Sequence, residues 1–197
     1  AWSGLYSDGT IPGIGGPNLN CPSPMLGLSG NRKQVLAYLD RMSPVPGGTH
    51  ADVGLRWGLR TLSPNSGWPA FFGLTKNPNV FKGSAQKVMV MITDGANEQA
   101  INYPGYWGCS DPTKTECTGS PDQAALDSRM QSWCDAIRNT YGVTIYAVAV
   151  NFTDTSAVDK LRTCAGNPSN VFSVDAASLN TVLDGIAARV MALRLTQ

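Results

Sequence analysis

The sequence predicts an α/β domain built on a doubly wound, mostly parallel sheet. Three observations carry that expectation. Residues 87–93, Lys-Val-Met-Val-Met-Ile-Thr, form an apolar run without alternation, and residues 143–150, Val-Thr-Ile-Tyr-Ala-Val-Ala-Val, form a second. Such runs mark strands buried on both faces, as in a parallel sheet. The second half then reads strand–helix–strand–helix–strand–helix, the order of right-handed parallel crossovers.

Residues 1–23 are rich in Gly, Pro, Ser and Asn, lack periodicity and read as an irregular segment, with the domain at 24–197. Residues 24–28 fit only a short edge strand, because flanking prolines bar them from a sheet centre. Ser29 is placed to cap a helix reaching Met42, with Val35, Leu36, Leu39 and Met42 on one face. A turn with two prolines and two glycines follows, then a helix over 50–62 that buries Val53, Leu55, Trp57, Leu59 and Leu62. Residues 63–86 read as an irregular connection holding Trp68, Phe71, Phe72 and Phe81. The 87–93 strand leads into a loop over 95–120. A helix spans 121–141, stopped by Gly142. After the 143–150 strand come a helix over 156–164, a strand over 171–174 and a closing helix over 177–195. The stripe of that last helix is Leu179, Val182, Leu183, Ile186, Val190 and Leu193.

With 197 residues the chain is long enough for one domain with a real core. Apolar residues make up 42% and charged residues 15%, which excludes a disordered chain. The net charge is +1 and no Lys/Arg cluster occurs, so a nucleic-acid or anionic-membrane surface is not expected. No apolar run approaches the ~20 residues of a membrane span. The first residues have neither a basic nor an apolar region of a signal peptide and do not resemble a natural start. The five cysteines form no CxxC pair and His50 is the only histidine, so structural zinc is a poor fit. Cys109 and Cys117 share one polar loop, and Cys134 and Cys164 lie on helices flanking one strand. Both pairs are disulfide candidates; Cys21 is left over. The alternative is five reduced thiols.

The chemistry centres on Asp94. In an open α/β sheet, ligands bind beyond the C-terminal ends of the strands, which is where Thr93-Asp94-Gly95 ends its apolar run. Upstream, Pro46-Gly47-Gly48-Thr49-His50-Ala51-Asp52 brings a hydroxyl on a glycine-rich turn into a helix. A hard cation such as Mg2+ takes oxygen ligands of these kinds. A competing role exists for Thr49: Thr49-His50-Ala51-Asp52 also has the spacing of a capping box. The lesser alternative for Asp94, followed by Gly95, is a simple turn. Asn97 and Glu98 are placed to form an outer shell. Tyr103, Tyr106 and Trp107, in the loop after the strand, either anchor a partner or fold back over the sheet edge. Trp57 reads as core. A serine-type hydrolase using His50 is the competing class, but no Gly-x-Ser-x-Gly elbow and no phosphate-binding P-loop is present.

These residues resemble a von Willebrand factor A domain: the Gly-Gly-Thr turn before an amphipathic helix, the strand ending Ile92-Thr93-Asp94-Gly95, and the 143–150 strand. More narrowly, the chain is similar to the C-terminal domain of TadG-like Tad/Flp pilus-assembly proteins. The supporting stretches are Cys21-Pro22, Gly54-Leu55-Arg56-Trp57-Gly58, Leu161-Arg162-Thr163-Cys164-Ala165 and Leu193-Arg194-Leu195-Thr196-Gln197. The resemblance implies a metal-ion-dependent adhesion site holding Mg2+, Mn2+ or Ca2+, with Thr49 and Asp94 as two of its ligands. The Asp-x-Ser-x-Ser loop that supplies the others in that family is absent; Asp154-Thr155-Ser156 is out of order. The chain therefore reads as an N-terminally truncated A domain lacking strands 1 and 2, binding metal weakly or not at all alone. The implied role is non-enzymatic: a protein-interaction domain in bacterial pilus assembly or surface adhesion. It would be periplasmic or on the cell surface, with a membrane anchor upstream and an acidic residue of a protein partner completing the metal's coordination. An adhesin contacting host or matrix ligands directly is a further alternative.

Overall fold

A computed structural model of the chain describes residues 24–42, 49–65, 67–74, 76–97 and 123–194. The chain divides into two compact units, Ala1–Gly47 and Gly48–Gln197. In the first, one helix is described, α1 (Arg32–Leu39). Its N-cap is Asn31, whose side chain accepts from the Gln34 amide, and the Ser29 hydroxyl accepts from the Asn31 amide one step earlier. Ser29 thus supports the cap rather than forming it. The expected apolar stripe is mostly open: Val35 is half-buried and Leu36, Leu39 and Met42 are exposed. Residues 24–28 form no strand; the three strands among the described residues all lie in the second unit, and Pro24 has no N–H to offer a ladder.

The second unit contains α2 (Ala51–Leu62), the single turn α3 (Trp68–Phe71), β1 (Val88–Thr93), α4 (Gln123–Asp135), β2 (Thr144–Val150), α5 (Thr155–Ala165), β3 (Val171–Val174) and α6 (Leu179–Arg194). The described strands form one open parallel sheet in the order β1-β2-β3. Each strand matches the apolar run that foretold it. α4 winds on through a π-helical turn at Ala136–Thr140. It ends at Gly142, whose φ of +66° suits a residue without a Cβ. α5 opens on Asp154, whose carboxylate accepts from the Ser156 amide, and closes on left-handed Gly166.

Alternate β2 side chains feed two cores. Ile145, Ala147 and Ala149 face α2, α4 and α5, where Leu55, Leu59, Met130, Cys134, Ile137, Val158 and Leu161 are buried against them. Tyr146 and Val148 face α6 and pack with Ile186. Helices thus lie on both faces of the sheet, as expected of α/β architecture. A disulfide joins Cys134 of α4 to Cys164 of α5 at a Cα separation of 5.0 Å, and both residues are fully buried. The Lys160–Asp127 ion pair (2.6 Å) links the same two helices. The other candidate pair, Cys109 and Cys117, and Cys21 lie outside the described residues.

β1 departs from the expectation of burial on both faces. Met89 is buried and Met91 packs on the helical core, but Val90 and Ile92 are 40% and 49% exposed. β1 is an edge strand, paired only to β2 among the described residues. No helix among the described residues is long and apolar enough to cross a membrane.

Candidate functional site

The sheet edge at the end of β1 is built by α2, which runs back along the strand. At one end Leu62 O accepts from Lys87 Nζ (2.5 Å), just before β1 begins. Burial pushes the Lys87 ammonium below the usual lysine range, and the Phe81 ring lies 4.1 Å beneath it. Midway, Gly58 crosses the sheet so closely that a Cβ there would stand 3.1 Å from Met89 Cε. At the other end, the residues before α2 meet the turn after β1.

That meeting point brings Thr49 and the Asp94-Gly95 turn together. A side chain at Gly95 would begin 2.9 Å from Thr49 Oγ1. The turn is held by Thr93, whose hydroxyl donates to Gly95 O (2.9 Å) and accepts from Gly95 N (3.3 Å). Asp94 is exposed at the tip. The two loops are tied by Asn97, 6% exposed, whose Oδ1 accepts from the Ala51 amide at 2.9 Å. An amide in the first turn of a helix has no intrahelical acceptor; a side chain forty-six residues away supplies one.

The capping-box alternative for Thr49 does not form. The N-cap of α2 is His50, with no side-chain cap bond, and Thr49 stands one residue before it. Asp52 does not reach back to the cap. It is 4% exposed, and its Oδ2 accepts from Arg129 Nε of α4 (3.0 Å), with His50 Nδ1 3.7 Å from its other oxygen. This Asp52–Arg129 pair had no signal in the sequence, because its members are 77 positions apart. Asp154-Thr155-Ser156, the out-of-order echo of a metal loop, is the N-terminal cap of α5. Glu98, Tyr103, Tyr106 and Trp107 lie outside the described residues. A groove lined by Gln131, Thr155, Ser156 and Lys160 belongs to α4 and α5, not to this edge.

The donor chemistry fits a hard cation in kind but not in number. A hydroxyl and a carboxylate suit Mg2+, yet that ion takes six oxygens, and Thr49 and Asp94 would account for two. Among the described residues no three His, Cys, Asp or Glu side chains converge as a metal-holding group. Set against known proteins, the chain matches no family model, no curated protein and no solved structure.

Proposed function

We propose that this chain is the C-terminal part of a von Willebrand A-type interaction domain, in which Thr49 and Asp94 are two ligands of a bridging divalent cation. The observation that carries the proposal is the contact between Thr49 and the Asp94-Gly95 turn at the C-terminal end of β1. The Thr49 hydroxyl lies against Gly95, the residue after the exposed Asp94, so the two side chains would supply two oxygens of such a site. Mg2+, Mn2+ or Ca2+ bound there would act as an electrostatic link, taking its remaining oxygens from water, from residues upstream and from an acidic side chain of a protein partner. The open edge of β1, with Val90 and Ile92 exposed, supports the view that further strands complete the sheet in the intact protein. The TadG-like resemblance extends this to a non-enzymatic role in bacterial pilus assembly or adhesion, outside the cytoplasm.

A calorimetric titration with Mn2+ and Mg2+ tests the proposal, run on this chain and on one extended upstream. Saturable binding by the extended form alone, abolished by Asp94→Ala, is the expected result. No binding by either form ends the metal-bridge reading and leaves a metal-free scaffold. The hydrolase alternative has one observation in its favour, the approach of His50 to Asp52. Against it, that carboxylate is already paired with Arg129. Turnover that survives Asp94→Ala and dies with His50→Ala would reverse the choice.

A further inference from the structure

The start of α2 is held differently from the starts of other helices. α1 and α5 open on side-chain caps from their own sequence, Asn31 and Asp154. α2 does not: its N-cap His50 makes no side-chain cap bond. The two residues before Thr49 are Gly47 and Gly48, which have no side chains with which to hold it. Two bonds from distant parts of the chain act instead. Asn97, beyond the end of β1, accepts from the Ala51 amide (2.9 Å), and Asp52 Oδ2 accepts from Arg129 Nε of α4 (3.0 Å). Arg129 stands on a firm base. Leu126 and Met130 of the same helix are buried, and Cys134 carries the disulfide to α5.

Stability is a poor account of the Asp52–Arg129 pair. A buried ion pair often gives no more stability than apolar side chains of similar volume. The second oxygen of Asp52, Oδ1, is buried without a hydrogen-bond partner, and so is His50 Nδ1, which faces it at 3.7 Å. An acidic residue in the first turn favours the helix dipole, but that effect needs neither burial nor Arg129. We infer that Asp52 is a positioning residue: paired with Arg129, it locks the first turn of α2 onto α4 and so sets where the Thr49 hydroxyl meets the Asp94-Gly95 turn. Asp52 touches no ligand itself and acts through the backbone of residues 49–52. The inference rests on the reading of Thr49 and Asp94 as paired cation ligands, because such a site depends on supporting groups that fix its oxygens in place.

The test compares the parent chain with two variants. Asp52→Leu/Arg129→Met replaces the ion pair by apolar side chains. Its urea midpoint should stay within about 0.3 M of the parent's, while the NMR cross-peaks between the Thr49 side chain and Gly95 disappear. Arg129→Lys keeps the charge and should keep the cross-peaks. In a chain extended upstream, the double variant should raise the Kd for Mn2+ at least about tenfold, and Arg129→Lys should leave it nearly unchanged. Cross-peaks that survive in the double variant overturn the inference, as does an unchanged Mn2+ Kd in its extended form. So does a large fall in the urea midpoint together with the cross-peaks, which would make the pair a brace of the fold and nothing more. If the extended parent binds no Mn2+, the cation reading fails by itself, and the cross-peaks still decide. Their loss at an unchanged midpoint supports Asp52 as the residue that places Thr49; their survival overturns it.

Discussion

β2 and β1 are neighbouring strands of similar composition in opposite circumstances. Ile145 through Ala149 of β2 are all buried, between α6 on one face and the α2, α4 and α5 layer on the other. In β1, Met89 and Met91 pack on the α2, α4 and α5 layer and Val88 on the cluster with Ile186, but Val90 and Ile92 are open. The register places Ile92 directly beside Val148, so two apolar residues a strand apart differ almost completely in what covers them. The comparison teaches where stability and function separate: the covered strand is braced, and the open strand ends in the candidate site.

The brace should give the largest effect. Replacing Cys134 and Cys164 together by Ala reopens a thirty-residue loop, a loss of about 3–4 kcal/mol by loop-closure entropy. Urea unfolding with and without reductant measures it. A loss below about 1 kcal/mol would mean that the covered region does not depend on its cross-link. Next comes the register pair itself. Val148→Ala should cost about 2 kcal/mol through a cavity, whereas Ile92→Ala should stay within about 0.5 kcal/mol in this chain. Equal costs would break the comparison. In a chain extended upstream the Ile92→Ala cost should rise towards that of Val148→Ala, which would show what covers the edge.

The tie between the loops is smaller. Asn97→Ala leaves the Ala51 amide without its acceptor and should cost about 1 kcal/mol, the usual value of a lost helix N-terminal bond. It should also loosen Thr49 from Asp94, seen as broadened amide resonances of residues 49–51 and 93–97. Unchanged resonances would mean that Asn97 does not hold the two loops together. The smallest effect is that of acid on α6. The hydroxyl and amide of Ser178 hold the Asp175 carboxyl below its ordinary value of 3.8. Its stabilising contribution is therefore present above the ordinary carboxylate range and is lost as pH falls through the depressed value. Acidification should fray the start of α6 and lower amide protection there before it touches β2.

The strands were the most legible part of the sequence, because a continuous apolar run records how much surface a segment needs covered. It does not record which surface is covered, so the run at 87–93 promised burial on both faces, and Val90 and Ile92 lack it. α1 shows the same limit in a helix: its periodicity was readable, its exposure was not. At the site, Thr49 and Asp94 could be named from residue type and place along the chain. The tie through Asn97 and the Asp52–Arg129 pair could not be read, since 46 and 77 positions separate their members and neither spacing leaves a periodic signal. The helical face alone marks Trp57 as core. Its ring partners Trp68 and Phe71 lie in a stretch without periodicity, so the cluster of these rings emerged only with the fold.

The cross-link between α4 and α5 also has a mechanical meaning. A chain pulled at its ends pays out each unfolded residue as about 3.5 Å of length, but the segment between Cys134 and Cys164, a sequence separation of 30 that includes all of β2, is bypassed by the covalent path. Tension would therefore run from α4 straight into α5 and spare the central strand. The domain would lengthen by roughly 100 Å less than an uncrosslinked chain, and on release it would keep a short, tethered loop from which to rebuild its sheet.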